Sequence, residues 1–183
     1  MKLDENGVAM PALSGTEVLS FVSDLPDICT AEVQDYGRFP GPHITPERMW
    51  EISELLEREL AYPDIDAAVV THGTDTLEET AYFLDCRHFS EKPIVLVGAM
   101  RNSSELSFDG PANLRAGARV ATDSAAQGKG VLVVLNQTVH SASDVTKTDT
   151  QALDTFQSPL FGALGLVDSD RILFAREPQL RDP

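Results

Sequence analysis

Short, unbroken apolar runs alternate along this chain with segments whose apolar residues recur at three- and four-residue steps. The runs are A-A-V-V-T at 67–71, I-V-L-V-G-A-M at 94–100 and V-L-V-V-L-N at 131–136. Apolar stretches of this length, without polar alternation, predict strands buried on both faces, as in parallel sheets covered by helices. Three helices are predicted around them. Thr45-Pro46 opens the first, with Thr as cap and Pro in the first turn, and Met49, Ile52, Leu56 and Leu60 form its inward stripe. The second runs from about Thr76 to Arg87, with Leu77, Thr80, Ala81 and Leu84 on one face. The third runs from about Pro111 to Gln127, turning Leu114, Ala118, Ala121 and Ala125 inward, with Gly128 as terminator.

Strand–helix–strand units of this size predict right-handed crossovers and an α/β fold: a three-layer domain with a mainly parallel sheet flanked by helices. Ligands of such sheets bind beyond the carboxyl ends of the strands. Three loops therefore become the places to look for chemistry: 71–76, 100–111 and 136–150.

The first loop, T-H-G-T-D-T, leads straight into a helix. Gly73 allows a tight turn or close ligand approach, and a helix start favours anions through its free N–H groups. Capping competes as an explanation, because Asp75 with Glu78, or Thr76 with Glu79, fits a capping box. The second loop carries Asp109-Gly110-Pro111, which reads equally as a turn feeding a helix. Arg101 is either a surface charge or a partner for Asp109. The third contains D-V-T-K-T-D-T at 144–150. A lone lysine there is ordinarily a solvated charge, yet one drawn into a dry site can lose its proton and act as a base.

Composition narrows the function classes. The formal net charge is -15, from 29 acidic and 14 basic residues, which repels phosphate backbones and anionic lipid. Neither a nucleic-acid nor a membrane partner is expected. The two cysteines, Cys29 and Cys86, make no disulfide framework and read as reduced thiols. No apolar run approaches the roughly 20 residues of a membrane span. The polar start M-K-L-D-E-N-G lacks the look of a signal peptide, so a cytoplasmic location is expected. His43, His72, His88 and His140 show no metal-ligand spacing. Trp50 lies within a predicted helix and is expected to pack.

Taken together, the loops resemble the bacterial-type L-asparaginase family (asparaginase/glutaminase), in its amino-terminal domain. A-A-V-V-T-H-G-T-D-T-L-E-E-T-A-Y-F-L resembles one family signature almost throughout. K-P-I-V-L-V-G-A-M-R with S-F-D-G-P-A-N-L, and D-V-T-K-T-D-T with F-Q-S-P-L-F-G-A-L-G, resemble the next two. P-A-L-S-G and H-I-T-P-E-R-M are looser matches. The resemblance implies a larger amino-terminal α/β domain, here 1–175, then the start of an interdomain linker at 176–183, with the carboxyl-terminal domain absent. It implies hydrolysis of L-asparagine to L-aspartate and ammonia without metal or cofactor, by homodimers or homotetramers of the full-length form. By motif, Thr74 matches one of two threonines that face the substrate amide. Asp75 matches the residue that binds the substrate α-amino group, Lys147 the base bonded to the threonine, and Ala99 a backbone contact to the amide.

Three departures accompany the match. The T-G-G-T-I loop that carries the family's other threonine, the one usually taken as the first nucleophile, is not found in these 183 residues, so a first strand is expected to be missing and strand edges left unpaired. The second domain is not found either. Where members usually carry a serine, this chain has F-P-G-P-H, with Gly41 or Pro42 at the position. The reading is an asparaginase-type amidohydrolase in a weakly active or inactive piece. Two alternatives stay open: the glutamine-hydrolysing subunit of a tRNA-dependent amidotransferase, and a non-catalytic amino-acid-binding remnant.

Overall fold

The computed structural model describes residues 2–3, 9–10 and 13–179. In chain order the strands and helices are β1 (Lys2–Leu3), β2 (Ala9–Met10), α1 (Gly15–Leu19), α2 (Leu25–Ile28), α3 (Pro46–Leu60), β3 (Ala68–Thr71), α4 (Leu77–Asp85), β4 (Ile94–Val97), α5 (Gly110–Thr122), β5 (Val131–Leu135), β6 (Thr138–Ser141), β7 (Thr146–Lys147), β8 (Phe156–Gln157), β9 (Gly165–Val167) and β10 (Ile172–Phe174). β1 and β2 pair with each other, as do β7 and β8; the remaining six form one sheet in the order β10-β9-β6-β5-β4-β3.

The central strands behave as their sequence predicts. Every residue of β4 and β5 is buried. β3, β4 and β5 run parallel, with Val69 opposite Val95 and Ile94 opposite Val131. Beyond β5 the sheet turns antiparallel through β6, β9 and β10. The switch is made by Asn136 and Gln137, both at positive φ, in a two-residue hairpin turn. The expected loop 136–150 therefore holds two strands, β6 and β7.

Helices cover both faces. On one, α3 and α4 send Ile52, Leu56, Leu60, Leu77, Ala81 and Leu84 against Ile94, Leu96 and Val133. On the other, α5 packs Leu114, Ala118, Val120 and Ala121 against Val95, Val97 and Val134. α3 starts as read, with Thr45 extended and Pro46 at its first position. α5 stops short of the expected Gln127. Asp123 is extended and turns its side chain to the N–H of Ala125, starting a separate 3-10 turn over Ser124–Ala126. That break shifts the phase by one residue: Ala125 is exposed and Ala126 is buried instead. Trp50 is 47% exposed, and its contact is the Arg87 guanidinium, 3.7 Å from the ring centroid.

Two features of this fold bear on its stability. β3 is an edge strand among the described residues. Ala68 and His72 donate their N–H groups toward β4, so those of Val69 and Thr71 alternate outward. A trough of about 750 Å³ runs along this edge, walled by Val18, Leu19, Leu56, Leu60 and Leu114. An unpaired edge beside apolar walls invites pairing with another chain. The isolated 183-residue chain is thus expected to associate with rising concentration in light scattering; a strictly monomeric, cooperatively melting sample contradicts this.

The second feature is His140, which is 2% exposed. Its Nδ1 meets Ser158 Oγ at 2.8 Å, while its Nε2 has no partner. Burial, aided by the charge of Arg176, lowers its pKa to about 4. Unfolded histidine titrates near 6.5, so between about pH 4 and 6.5 the unfolded chain binds the extra proton. Stability must therefore rise with pH across that window and fall on acidification. Relative to the wild type, His140→Gln should remove up to about 3 kcal/mol of that pH-dependent slope, read from denaturation midpoints at pH 4 and 7.

Candidate active site

The site forms where β3 ends and α4 begins. His72 shapes the turn. Its Nδ1 donates to the Gly73 carbonyl at 2.7 Å, and its Nε2 then accepts from the buried Thr80 hydroxyl at 2.9 Å. The assignment follows from the carbonyl, which can only accept. Burial holds the imidazole below its usual pKa, which favours this neutral form. Gly73 faces a second glycine: a Cβ on Gly73 would come 3.0 Å from both Gly41 N and Gly41 Cα. The 3-10 turn Gly41–His43 thereby packs on the loop, and Thr76 Oγ1 donates to the Gly41 carbonyl at 2.8 Å. The F-P-G-P-H segment thus lies beside Asp75, where a Cβ on Gly41 would come 3.2 Å from Asp75 Cβ.

Capping, which competed as an explanation of this block, is not what its side chains do. Thr76 is the N-cap of α4 but makes no side-chain cap bond. Glu78 instead reaches the 146–147 segment, accepting from Thr146 Oγ1 at 3.0 Å and from the Lys147 backbone N–H.

Lys147 comes from the opposite side. β7 pairs with β8, placing Lys147 opposite Phe156. The loop between them closes on itself: Thr148 N donates to the Thr155 carbonyl at 2.8 Å, and Asp149 N to Thr155 Oγ1 at 2.6 Å. Asp149 accepts from the N–H groups of Gln151 and Ala152, which lowers its pKa. This frame aims the amine inward. Lys147 Nζ donates to Thr74 Oγ1 at 3.0 Å and to Asp75 Oδ1 at 3.1 Å. The Lys147 side chain is 17% exposed and that of Asp75 is 58% exposed, so the row runs from a sheltered amine to an open carboxylate.

Ala99 lies on the neighbouring loop, after β4. A Cβ on Gly98 would come 3.0 Å from Thr74 Cγ2, which places this loop directly against the threonine. The loop is held from α5. Asn113 Nδ2 donates to the Gly98 carbonyl at 2.9 Å and to Asp109 Oδ2 at 3.0 Å. Asp109 accepts from Met100 N at 3.0 Å and Arg101 N at 2.9 Å. Arg101 thus meets Asp109 through its backbone, while its guanidinium reaches toward the Ser107 carbonyl. Asn113 Oδ1 accepts from Asn136 N at 2.9 Å, tying the β5–β6 turn to the same bracket.

The structure therefore brings Thr74, Asp75 and Lys147 into one hydrogen-bonded row and sets the Ala99 loop beside it. Glu78 and Asn113, which no motif in the sequence marks as site residues, join the arrangement through partners up to 69 and 23 residues away.

A protein-family model described as Asparaginase, N-terminal, matches residues 1–180. The chain is 53% identical over 114 residues to a probable periplasmic L-asparaginase of Haemophilus influenzae, covering 62% of this chain and 33% of that protein. It is 42% identical over 160 residues to L-asparaginase 2 of Bacillus subtilis, covering 87% of this chain and 42% of that protein. Among solved structures, the probable cytoplasmic L-asparaginase of Campylobacter jejuni superposes with a TM-score of 0.89 at 34% identity, over 93% of this chain and 54% of that one. The chain thus spans about a third to a half of the length of these relatives. Their names differ in compartment. No helix among the described residues is long and apolar enough to cross a membrane.

The bracket around Ala99 yields a stability prediction. Asn113 is 3% exposed, and Asn113→Ala removes the three hydrogen bonds that this buried amide makes to Gly98, Asp109 and Asn136. The cost is expected to be about 2–4 kcal/mol, seen as a lowered denaturant midpoint.

Proposed function

Because this chain belongs to the asparaginase family, we propose that it supplies the Thr74–Lys147–Asp75 part of a site that hydrolyses L-asparagine to L-aspartate and ammonia. The observation that carries the reading is the Lys147 amine, 3.0 Å from Thr74 Oγ1 and 3.1 Å from Asp75 Oδ1. A threonine hydroxyl is a weak nucleophile until a neighbouring base takes its proton. Lys147 Nζ, acting as the base, takes the Thr74 proton as Oγ1 bonds to the amide carbon. The carbon–nitrogen bond then breaks, the nitrogen leaves with that proton as ammonia, and water hydrolyses the ester. Asp75 binds the substrate α-ammonium, and its open position suits a group arriving from solvent. The Ala99 peptide, bracketed by Asn113 and Asp109, offers a fixed backbone contact to the amide.

The row contains one threonine where the resemblance calls for two. The 183 residues alone are therefore proposed to turn over slowly, since losing a member of a catalytic unit costs roughly 10⁴–10⁶ in rate. Full activity, a homodimeric or homotetrameric state and a cytoplasmic location are proposals for a longer protein. The name of the Campylobacter jejuni structure supports the location, and that of the Haemophilus influenzae relative points elsewhere.

The test combines ammonia release with calorimetry. Release from L-asparagine by the 183-residue chain is expected far below that of full-length relatives; a comparable rate sinks the slow-turnover proposal. Asp75→Asn should weaken L-aspartate binding about 10- to 100-fold, the worth of one charged hydrogen bond. Unchanged affinity would remove Asp75 from its role. Release from glutamine that depends on added tRNA would instead identify an amidotransferase subunit.

A further inference from the structure

We propose that Glu78 is a positioning residue that aims the Lys147 amine at Thr74. The inference rests on the reading of Thr74 and Lys147 given above. Glu78 stands in the first turn of α4, four residues after Thr74, where a glutamate ordinarily serves its own helix. Both of its carboxylate oxygens are committed elsewhere. Oε1 accepts the Thr146 hydroxyl at 3.0 Å, and Oε2 accepts the backbone N–H of Lys147 itself.

The target of these bonds gives them meaning. β7 is two residues long and, among the described residues, pairs only with the two-residue β8. So short a ladder fixes a strand poorly. Glu78 supplies a second constraint on the residue whose side chain must span back to the β3–α4 turn. The helix that presents Thr74 and Asp75 at its start therefore also holds the main chain of the base. A rigid first turn couples the two, so the amine and the hydroxyl move together. Positioning of this kind matters because a misplacement of about 1 Å can cost on the order of 100-fold in rate.

A mere tether between α4 and the 146–147 segment predicts lost stability and nothing more. The two roles separate in Glu78→Ala and Glu78→Gln. The glutamine amide keeps both contacts, accepting from the Lys147 N–H through its oxygen and donating to Thr146 Oγ1 through its nitrogen. In the first arm an amine-reactive ester labels the folded chain at fixed pH, and mass spectrometry reads each lysine, with Lys92 and Lys129 as internal references. Labelling of Lys147 is expected to rise at least about tenfold in Glu78→Ala as the amine leaves Thr74, and to return near wild type in Glu78→Gln. In the second arm ammonia release from L-asparagine is compared as a ratio to wild type. Glu78→Ala should lower kcat about 10- to 100-fold with KM changed less than about twofold, and Glu78→Gln should recover most of it.

Wild-type labelling in Glu78→Ala overturns the proposal. So does equal damage in the two variants, which would make the charge the cause rather than the hydrogen bonds. If no ammonia is released even by wild type at any enzyme concentration, the proposal of slow turnover by these residues falls, and the labelling arm still decides the clamp.

Discussion

Lys147 and Thr74 lie 73 residues apart in sequence, and the amine reaches the hydroxyl at 3.0 Å. Fixing a lysine side chain costs up to roughly 2 kcal/mol of rotamer freedom. An ion pair with a largely exposed carboxylate such as Asp75 returns about 1 kcal/mol or less. The side-chain contacts therefore do not hold this arrangement by themselves. The backbone on either side does. His72, Gly73 and Gly41 set the turn that presents Thr74, and Thr155 and Asp149 close the loop behind Lys147. The Ala99 loop is pinned in the same manner, by one buried asparagine on α5 and the aspartate just before that helix. The site is thus a meeting of three loops, each held by its own set of backbone contacts.

How much of this could be read from the sequence depended on the range of the interaction. The inward faces of α3 and α4 follow from three- and four-residue spacing, and Met49, Ile52, Leu56, Leu77 and Leu84 are buried as that spacing requires. The apolar runs of β4 and β5 are equally plain, because burial on both faces leaves no room for polar residues. Errors arose where one polar side chain redirected the backbone. Asp123 ended α5 by bonding to Ala125 N–H and moved the buried position to Ala126. Asn136-Gln137 formed a hairpin without the glycine that usually signals one.

The site residues divide in the same way. Thr74, Asp75 and Lys147 stood out only through the resemblance of their motifs to the family's, and the structure brings them together. Glu78 was legible only as a cap, since nothing in T-L-E-E-T tells whether the first glutamate serves its own helix or a segment 69 residues away. Asn113 was hidden by its setting in an otherwise apolar helix face. Its buried amide joins the strand ends of β4 and β5. A polar residue is tolerated there because every one of these bonds is made.

The two walls of the site differ in what it takes to move them. Toward β4 and β5, each strand is flanked by others and covered on both faces, and the loop carbonyls and amides are bonded to α5. Toward β3, the strand has a neighbour on one side only among the described residues, and its outer edge faces the trough. The turn that carries Thr74 and Asp75 grows from this less supported strand. Its anchors are the His72 N–H on the Val97 carbonyl at 2.9 Å, the Thr76 hydroxyl on Gly41, and the Glu78 contacts to Thr146 and Lys147. Local opening in proteins starts where backbone bonds are fewest. Any loosening of the β3 edge is therefore transmitted first to Thr74 and Asp75, while the Ala99 loop stays in place. What binds along that edge will bear on chemistry at its end, because the strand with one open edge among the described residues leads into the turn that carries Thr74.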